Sequence, residues 1–422
     1  MSARIVFTTW GSYGDLNPTL GLAIGLRARG HRVVIATSAR YRTEVEREGV
    51  DFHPVRPDVD PADRTMIARV MDQRRGTEYL FRELLMRNLR ASYDDLKGAL
   101  RGADVIVTHP ATMAAPLLAQ ELALPWVSLV LAPISFMSAH DMPVLPPAPW
   151  LRHLTDRSPW ISRAVAGIAR RATQPWVRPV SDLRKARGLP PGAHPIYEGQ
   201  HSPHLVLALF SRVLAVPQPD WPRNVRVVGA VPYNGPDPSA LRDDLEAFLA
   251  SGSPPVVFTL GTSAVGAAGT FYDESLGAVE RLGMRAVLLI GGHPENRPAR
   301  PLPASVIAVE FARHAALFPR AALVVHQGGA GTLHQALAAS HPMLVVPHAH
   351  DQPDNAHRVT RLGVARTLAK QHYRAARVAG EIATLLGDPR YRAKAAQVAA
   401  VVRGEDAVRT GCDAIEQVAL RS

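Results

Sequence analysis

Two stretches of the chain hold residue types in spacings that can do chemistry. The denser runs from His326 to Gln352, HQGGAGTLHQALAASHPMLVVPHAHDQ. Gly328, Gly329 and Gly331 follow an apolar run, Ala321 to Val325, and lead through Thr332 into a helical pattern at Leu333, Ala336 and Leu337. A strand, a glycine turn and a helix start together aim backbone N–H groups and the positive end of a helix dipole at one spot, which suits a phosphate. Glycine is favoured there because a Cβ would keep an anion away from the backbone. A second apolar run, Met343 to Val346, ends at Pro347 and a polar loop, His348 to Gln352. Asp351 can accept from hydroxyl groups and Gln352 can also donate to them. Ligands of open α/β sheets sit beyond the carboxyl ends of strands, so both loops should face one crevice. An anion cradle beside a hydroxyl-binding loop points to a nucleotide sugar. The glycine turn alone would be a weak signal; the pair of loops carries the reading.

The second stretch is Thr9-Trp10-Gly11-Ser12-Tyr13-Gly14-Asp15-Leu16-Asn17-Pro18, between a first strand and a helix from Thr19 to Arg29. It is not a GxGxxG fingerprint, so it does not announce a dinucleotide. Asp15 stands at the mouth of that helix. A carboxylate there can cap the helix or take a proton from a bound hydroxyl, and the residues alone leave both readings open. His109, in the loop Thr108-His109-Pro110 after a later strand, is a second candidate for handling protons.

These loops need a scaffold, and short apolar runs supply it. Ile5 to Thr8, Val33 to Ala36, Val50 to Val55, Val105 to Val107, Trp126 to Val130 and Leu205 to Leu209 read as parallel strands buried on both faces. Val216-Pro217-Gln218-Pro219-Asp220-Trp221-Pro222 then reads as a proline-stiffened linker. A second series opens at Val225 to Gly229 and continues through Val256 to Leu260, Ala286 to Ile290, Val306 to Val309, Leu323 to Val325 and Met343 to Val346. Helical patterns alternate with strands in both halves, and 422 residues exceed one ordinary core. Two doubly wound α/β domains are expected.

Composition narrows the function classes. The chain carries 48 basic and 37 acidic residues, a formal charge of +11. The arginines are scattered through helical segments and no aromatic–basic stacking motif occurs, which argues against nucleic acid. A lone Cys412 leaves no intramolecular disulfide or cysteine metal site and fits a reducing cytoplasm. The first strand begins at Ile5, leaving no room for a signal peptide, and Trp126 to Ile134 is too short for a membrane span. A cytoplasmic protein without integral membrane association, monomeric or weakly dimeric, is expected.

The two stretches together resemble the nucleotide-sugar-dependent glycosyltransferases of family one, which have the GT-B fold. Their donor signature runs from an aromatic-x-Pro-Gln start through a His-x-Gly turn to a closing acid and Gln. Here Phe311-Ala312-Arg313-His314 resembles the start, and Asp351-Gln352 closes it. Counting back from Asp351 places Gln327 where the family has its phosphate-binding histidine, with His326 one residue earlier. The first loop reads Gly-His-x-x-Pro in the family or, in a bacterial branch, Gly-Ser-x-Gly-Asp-x-x-Pro. Gly11 to Pro18 follows that branch at each fixed position. Members with the histidine orient it with an Asp on a later loop; here Pro110 stands at that place, as an Asp base would allow.

The resemblance implies an α/β GT-B protein, two Rossmann-like doubly wound domains facing a central cleft. The boundaries expected are an acceptor domain at 1–215, a linker at 216–235, a nucleotide-sugar domain at 236–405, and a helix at 406–422 returning to the first domain. It implies inverting transfer of a hexose from a UDP- or TDP-sugar to a hydroxyl of a lipophilic small molecule, a polyphenol or macrolide-like compound. Asp15 is the base, and His109 stays a second candidate for handling protons. Gly14, Thr262, Ser263, Phe311, Ala312, His326, Gln327, Gly328, Gly329, Gly331, Thr332, Asp351 and Gln352 hold the donor. Tyr13, Phe136, Met137 and Met142 line the acceptor pocket, the last three within a segment of six prolines from Pro133 to Trp160. No metal or bound cofactor is implied, and His348-x-His350 has no third ligand nearby in sequence. Two alternatives remain. One is a sterol or lipid-carrier glycosyltransferase at a membrane surface, which a basic amphipathic surface in the first domain would favour. The other is a non-catalytic nucleotide-sugar binder, kept open by Gln327.

Overall fold

The computed structural model describes residues 2–60, 63–233, 235 and 241–420. The chain divides into two compact units, Met1–Asp60, Arg75–Tyr233 and Glu405–Ser422 in one, Pro61–Arg74 and Asn234–Gly404 in the other.

Unit one is built on seven strands: β1 (Arg4–Thr8), β2 (Arg32–Thr37), β3 (Asp51–Pro54), β4 (Val105–Thr108), β5 (Trp126–Val130), β6 (Leu205–Ala208) and β7 (Val225–Val227). They lie in the order β3-β2-β1-β4-β5-β6-β7, every pair parallel. β4, β5 and β6 are buried along their whole length, which is why they read as unbroken apolar runs. Alternate residues serve opposite cores. Ile5 and Phe7 pack with Leu16, Leu20 and Leu26 of the helix Tyr13–Ala28, whereas Val6 packs with Leu89, Tyr93 and Leu96 of the helix Leu89–Ala99. Fully burying one such side chain contributes about 1.5–3 kcal/mol.

The run Val225 to Gly229 does not open the second sheet. Its β7 pairs with β6 in the register Val206↔Val225 and closes the first sheet. The proline-rich segment before it is a packed corner: Trp221 is buried, stacked on Phe136 at 4.0 Å and edge-on to Phe210. Composition alone reads such a corner as a linker. The helix Ala407–Ala419, capped by Asp406, returns to this unit and lies on the helix Tyr13–Ala28. Small residues bring the two together: a Cβ on Gly25 would lie 2.8 Å from Cys412 Sγ, and one on Gly411 2.7 Å from Leu22.

Unit two holds β8 (Val256–Thr259), β9 (Ala286–Leu289), β10 (Val306–Val309), β11 (Leu323–His326), β12 (Met343–Val345) and β13 (Ala365–Thr367), in the order β10-β9-β8-β11-β12-β13, again all parallel. β13 has no apolar run and was invisible to periodicity. Residues 63–74 belong here rather than to the first unit. Met71 is buried in the second core, with Ile67 and Val70 of the helix Arg64–Val70 packed against it. Asn234 of the expected linker, residues 236–240 at the head of the expected second domain, and the last two residues of the expected 406–422 helix lie outside the described residues. Among the described residues no helix is long and apolar enough to cross a membrane.

Candidate active site

In unit one, β1 and β4 are neighbours in the register Thr8↔Thr108, so the loops that follow them leave the sheet side by side. The first loop turns at Gly11, whose φ is 139°. A Cβ there would overlap Asp15 Oδ2, so glycine lets the carboxylate fold back over the loop. Asp15 Oδ2 accepts from Ser12 N at 2.7 Å and Ser12 Oγ at 3.2 Å, while Ser12 Oγ accepts from Gly14 N at 3.1 Å. This is a reciprocal capping box at the start of the helix Tyr13–Ala28. It occupies one oxygen of Asp15.

The other oxygen, Oδ1, lies 3.2 Å from His109 Nε2. His109 Nδ1 accepts from the amide of Ala111 at 3.2 Å, so the ring proton is on Nε2 and points at the carboxylate. The Asp15 side chain is 29% exposed and that of His109 only 6%. Asp15 can therefore reach a bound hydroxyl, and His109 holds it in place. The ring lies against the carboxylate, and of the two groups the carboxylate keeps the greater exposure. Tyr41, which nothing in the sequence singled out, fixes the same loop by donating to Gly11 O at 2.8 Å.

The residues expected to meet small molecules in this unit are mostly engaged elsewhere. The N–H of Gly14 is taken up by Ser12, so it is not free for a donor phosphate. Tyr13 donates to Glu44 at 2.6 Å and lies edge-on to Tyr41; burial pushes its hydroxyl up to about 12. Phe136 is stacked against Trp221, and Met137 and Met142 pack with Ala166 and Tyr197 in a small core. These three form packing rather than a lining. A small recess, with room for little more than a water, opens between the loops after β1, β3 and β4, lined by Trp10, Pro57, Leu85, Leu89, Thr112 and Met113 among others. Thr8 Oγ1 also belongs to it and is buried without a hydrogen-bond partner among the described residues.

In unit two, β8, β11 and β12 are adjacent and paired through Val325↔Phe258 and His326↔Val345, so their following loops start at one level. Gly261 has φ 58°, and a Cβ on it would overlap Gln327 Nε2 and lie 3.3 Å from Thr332 Oγ1. A Cβ on Gly329 would also meet Gln327 Nε2, at 2.8 Å. The Gln327 amide is thus wedged between two glycines at the start of the helix Ala330–Ala338, whose N-cap, Gly329, makes no side-chain cap. Gly331 and Thr332 form its first turn, with Thr262 exposed and Ser263 half-buried on the neighbouring loop. The backbone donors of such a helix start, with an uncharged amide and hydroxyls, suit a diphosphate.

His326 does not join them. It is fully buried, its Nδ1 accepts from Gly328 N at 3.1 Å, and its Nε2 faces Met343 Sδ at 3.4 Å. Burial holds its pKa down to about 3, so it is neutral and shapes the turn. His326 is thus a packing residue of the turn, while Gln327, itself buried, faces Gly261 and Gly329.

The loop after β12 is tied to this turn. Gly328, φ 90°, lets it approach: a Cβ would lie 2.9 Å from Val345 and 3.3 Å from Gln352 O. Asn355 Nδ2 donates both to Gly328 O at 2.9 Å and to Asp351 Oδ2 at 2.7 Å. Sequence reasoning passed over Asn355, although it stands one helical turn beyond Asp351. Gln352, buried, accepts at Oε1 from His348 N and Ala349 N and so holds the loop closed on itself. Phe311 is 65% exposed beyond β10 and Ala312 is buried beside it.

Comparison with known proteins follows this geometry. Residues 5–132 match the model of the glycosyltransferase family 28 N-terminal domain, and residues 274–407 that of the erythromycin biosynthesis protein CIII-like C-terminal domain. The chain is 33% identical over 430 residues to O-mycaminosyltylonolide 6-deoxyallosyltransferase of Streptomyces fradiae, covering 98% of this chain and 97% of that one. It is 29% identical over 373 residues to glycosyltransferase GtfE of Amycolatopsis orientalis, 86% and 85% covered. The solved glycosyltransferase SnogD from Streptomyces nogalater superposes with TM-score 0.69 at 25% identity, each chain fully covered.

Proposed function

This chain belongs to the family-one glycosyltransferases of the GT-B fold, and from that premise we propose that it moves a hexose from a UDP- or TDP-sugar to a hydroxyl of a lipophilic natural-product acceptor, with inversion. The observation that carries this reading is the Asp15 carboxylate, held by His109 and Ser12 yet partly exposed. As the acceptor oxygen attacks the anomeric carbon, Asp15 takes its proton. The bond to the diphosphate breaks and its charge develops on the leaving oxygen. Gln327, Thr332 and the backbone from Gly329 to Gly331 supply preorganised donors for that charge. Asp351, steadied by Asn355, accepts from the sugar hydroxyls, and Gln352 donates to them. Phe311 lies against the nucleobase.

The Streptomyces fradiae relative, whose name gives a tylonolide acceptor, supports a lipophilic acceptor. The Streptomyces fradiae relative, named for transfer of a 6-deoxyhexose, supports a deoxysugar donor. No metal is assigned a role. The test is product formation from UDP-glucose and TDP-linked 6-deoxyhexoses on macrolide, polyphenol and sterol acceptors, with and without EDTA. Transfer to a macrolide or polyphenol in EDTA is expected. Transfer to sterols alone, or only with added metal, would refute the corresponding part of the reading.

A further inference from the structure

Among the described residues nine large apolar side chains are exposed, and five of them fall within residues 150–168 of unit one: Trp150, Leu154, Trp160, Ile161 and Ile168. The helix Pro159–Thr173 is two-faced. Its inner face carries Ser162, Val165, Ala166, Ala169 and Thr173. Ala166 is buried with Met137, Met142 and Tyr197, with Val165 and Ala169 packed beside it. Ser162 Oγ donates to Thr155 O at 3.1 Å, and Thr173 Oγ1 bonds His194 at 3.2 Å. The helix is therefore held firmly on one side. The opposite side presents Trp160, Ala164, Ile168 and Arg171 at successive helical turns, all exposed, with Trp160 75% and Ile168 65% exposed.

Charge on this side is of one sign. Residues 149–175 hold five arginines and one acid, Asp156. Arg152 pairs with Asp156, and Arg170 with Glu198. Arg157, Arg163 and Arg171 are exposed and make no ion pair among the described residues; Arg163 lies over the Trp160 ring, 5.0 Å from its centre. Tryptophan and isoleucine ringed by unpaired arginines are what an interfacial amphipathic helix presents to anionic headgroups. A second copy of the chain would bring the same arginines against themselves, which disfavours a symmetric self-contact.

We propose that the helix Pro159–Thr173, with Trp150 and Leu154 before it, docks unit one on an anionic lipid bilayer. The apolar stripe enters the headgroup boundary and Arg157, Arg163 and Arg171 meet the lipid phosphates. Such a surface is what the sterol or lipid-carrier alternative calls for, so it weighs on the acceptor as well as on where the chain resides. It adds the basic amphipathic surface that the scattered arginines of the sequence did not reveal.

The test is co-sedimentation of the full chain with phosphatidylcholine vesicles with and without phosphatidylglycerol. Binding to the anionic vesicles should be at least about tenfold stronger than to neutral ones, and should weaken in high salt. Trp160→Ser with Ile168→Ser, and separately Arg157→Gln with Arg163→Gln and Arg171→Gln, should each lower it by about tenfold or more with melting temperature unchanged. Equal binding to both vesicle types, no binding to either, or binding unaltered in both variants would overturn the proposal. So would a parent dimer that the same substitutions dissociate, because the face would then join two copies.

Discussion

Nε2 of His109 lies 3.2 Å from Oδ1 of Asp15, while its Nδ1 is taken by the amide of Ala111. The histidine serves the carboxylate. Of the pair, Asp15 keeps the greater exposure, 29% against 6%.

Replacing His109 should loosen Asp15 without touching the donor loops. His109→Ala is expected to lower kcat by about tenfold, with donor KM unchanged. His109→Gln, whose amide can still reach Asp15, should recover part of the loss. Steady-state kinetics of the two variants decide the matter; equal activity in both would remove the positioning role.

Gly261 is required by its φ of 58° and by the Gln327 amide that stands where a Cβ would go. Gly261→Ala should push Gln327 out of the cradle and weaken nucleotide diphosphate binding by about tenfold. Because both changes act through one group, Gly261→Ala and Gln327→Ala together should cost little more than either alone. Calorimetric titration with UDP and TDP tests this, and additive losses would contradict it.

Asn355 joins the two donor loops through Gly328 O and Asp351 Oδ2. Asn355→Ala should raise donor KM about tenfold while changing kcat less. Asn355→Asp should be worse, since it sets a like charge beside Asp351. An unchanged donor KM in both variants would show that the tie is dispensable.

Burial holds His326 down to about 3 and His334 and His348 down to about 4. Their unfolded values are about 6.5. Between about pH 6.5 and 4 these three rings therefore bind up to about three more protons in the unfolded chain than in the folded one. The stability these neutral rings contribute is complete above that window and is lost as pH falls through it. Denaturation midpoints measured from about pH 7 to 5 should decline, and less steeply in His326→Phe, which removes one titrating ring. Parallel declines would contradict this.

Much of this arrangement was legible in the chain, for definable reasons. Strands buried on both faces read as apolar runs, so β4, β5 and β8 stood out, whereas Ala365–Thr367 has no such run and was missed. Val225–Val227 was visible as a strand, but its partner was not, because sheet membership is a long-range property. The glycine turn showed in the spacing, whereas Asp15 stood out only as a carboxylate at a helix mouth and took its assigned role from the family resemblance. His326 and Gln327 could not be told apart by type: both are buried, but His326 ends the strand inside the core while Gln327 turns toward Gly261 and Gly329. Phe136, Met137 and Met142 misled because apolar lining and apolar packing share a composition. Tyr41 had no local signal at all.

The most direct test of the central claim is the Asp15→Asn variant. Asparagine retains an oxygen for the cap and should leave the fold intact, but it cannot take a proton. With the best donor and acceptor pair, kcat should fall by about 10²–10⁴-fold while the affinity for the donor nucleotide stays at the parental value. Turnover near the parental rate, with the nucleotide bound as before, would show that another group removes the proton and that Asp15 is only a helix cap.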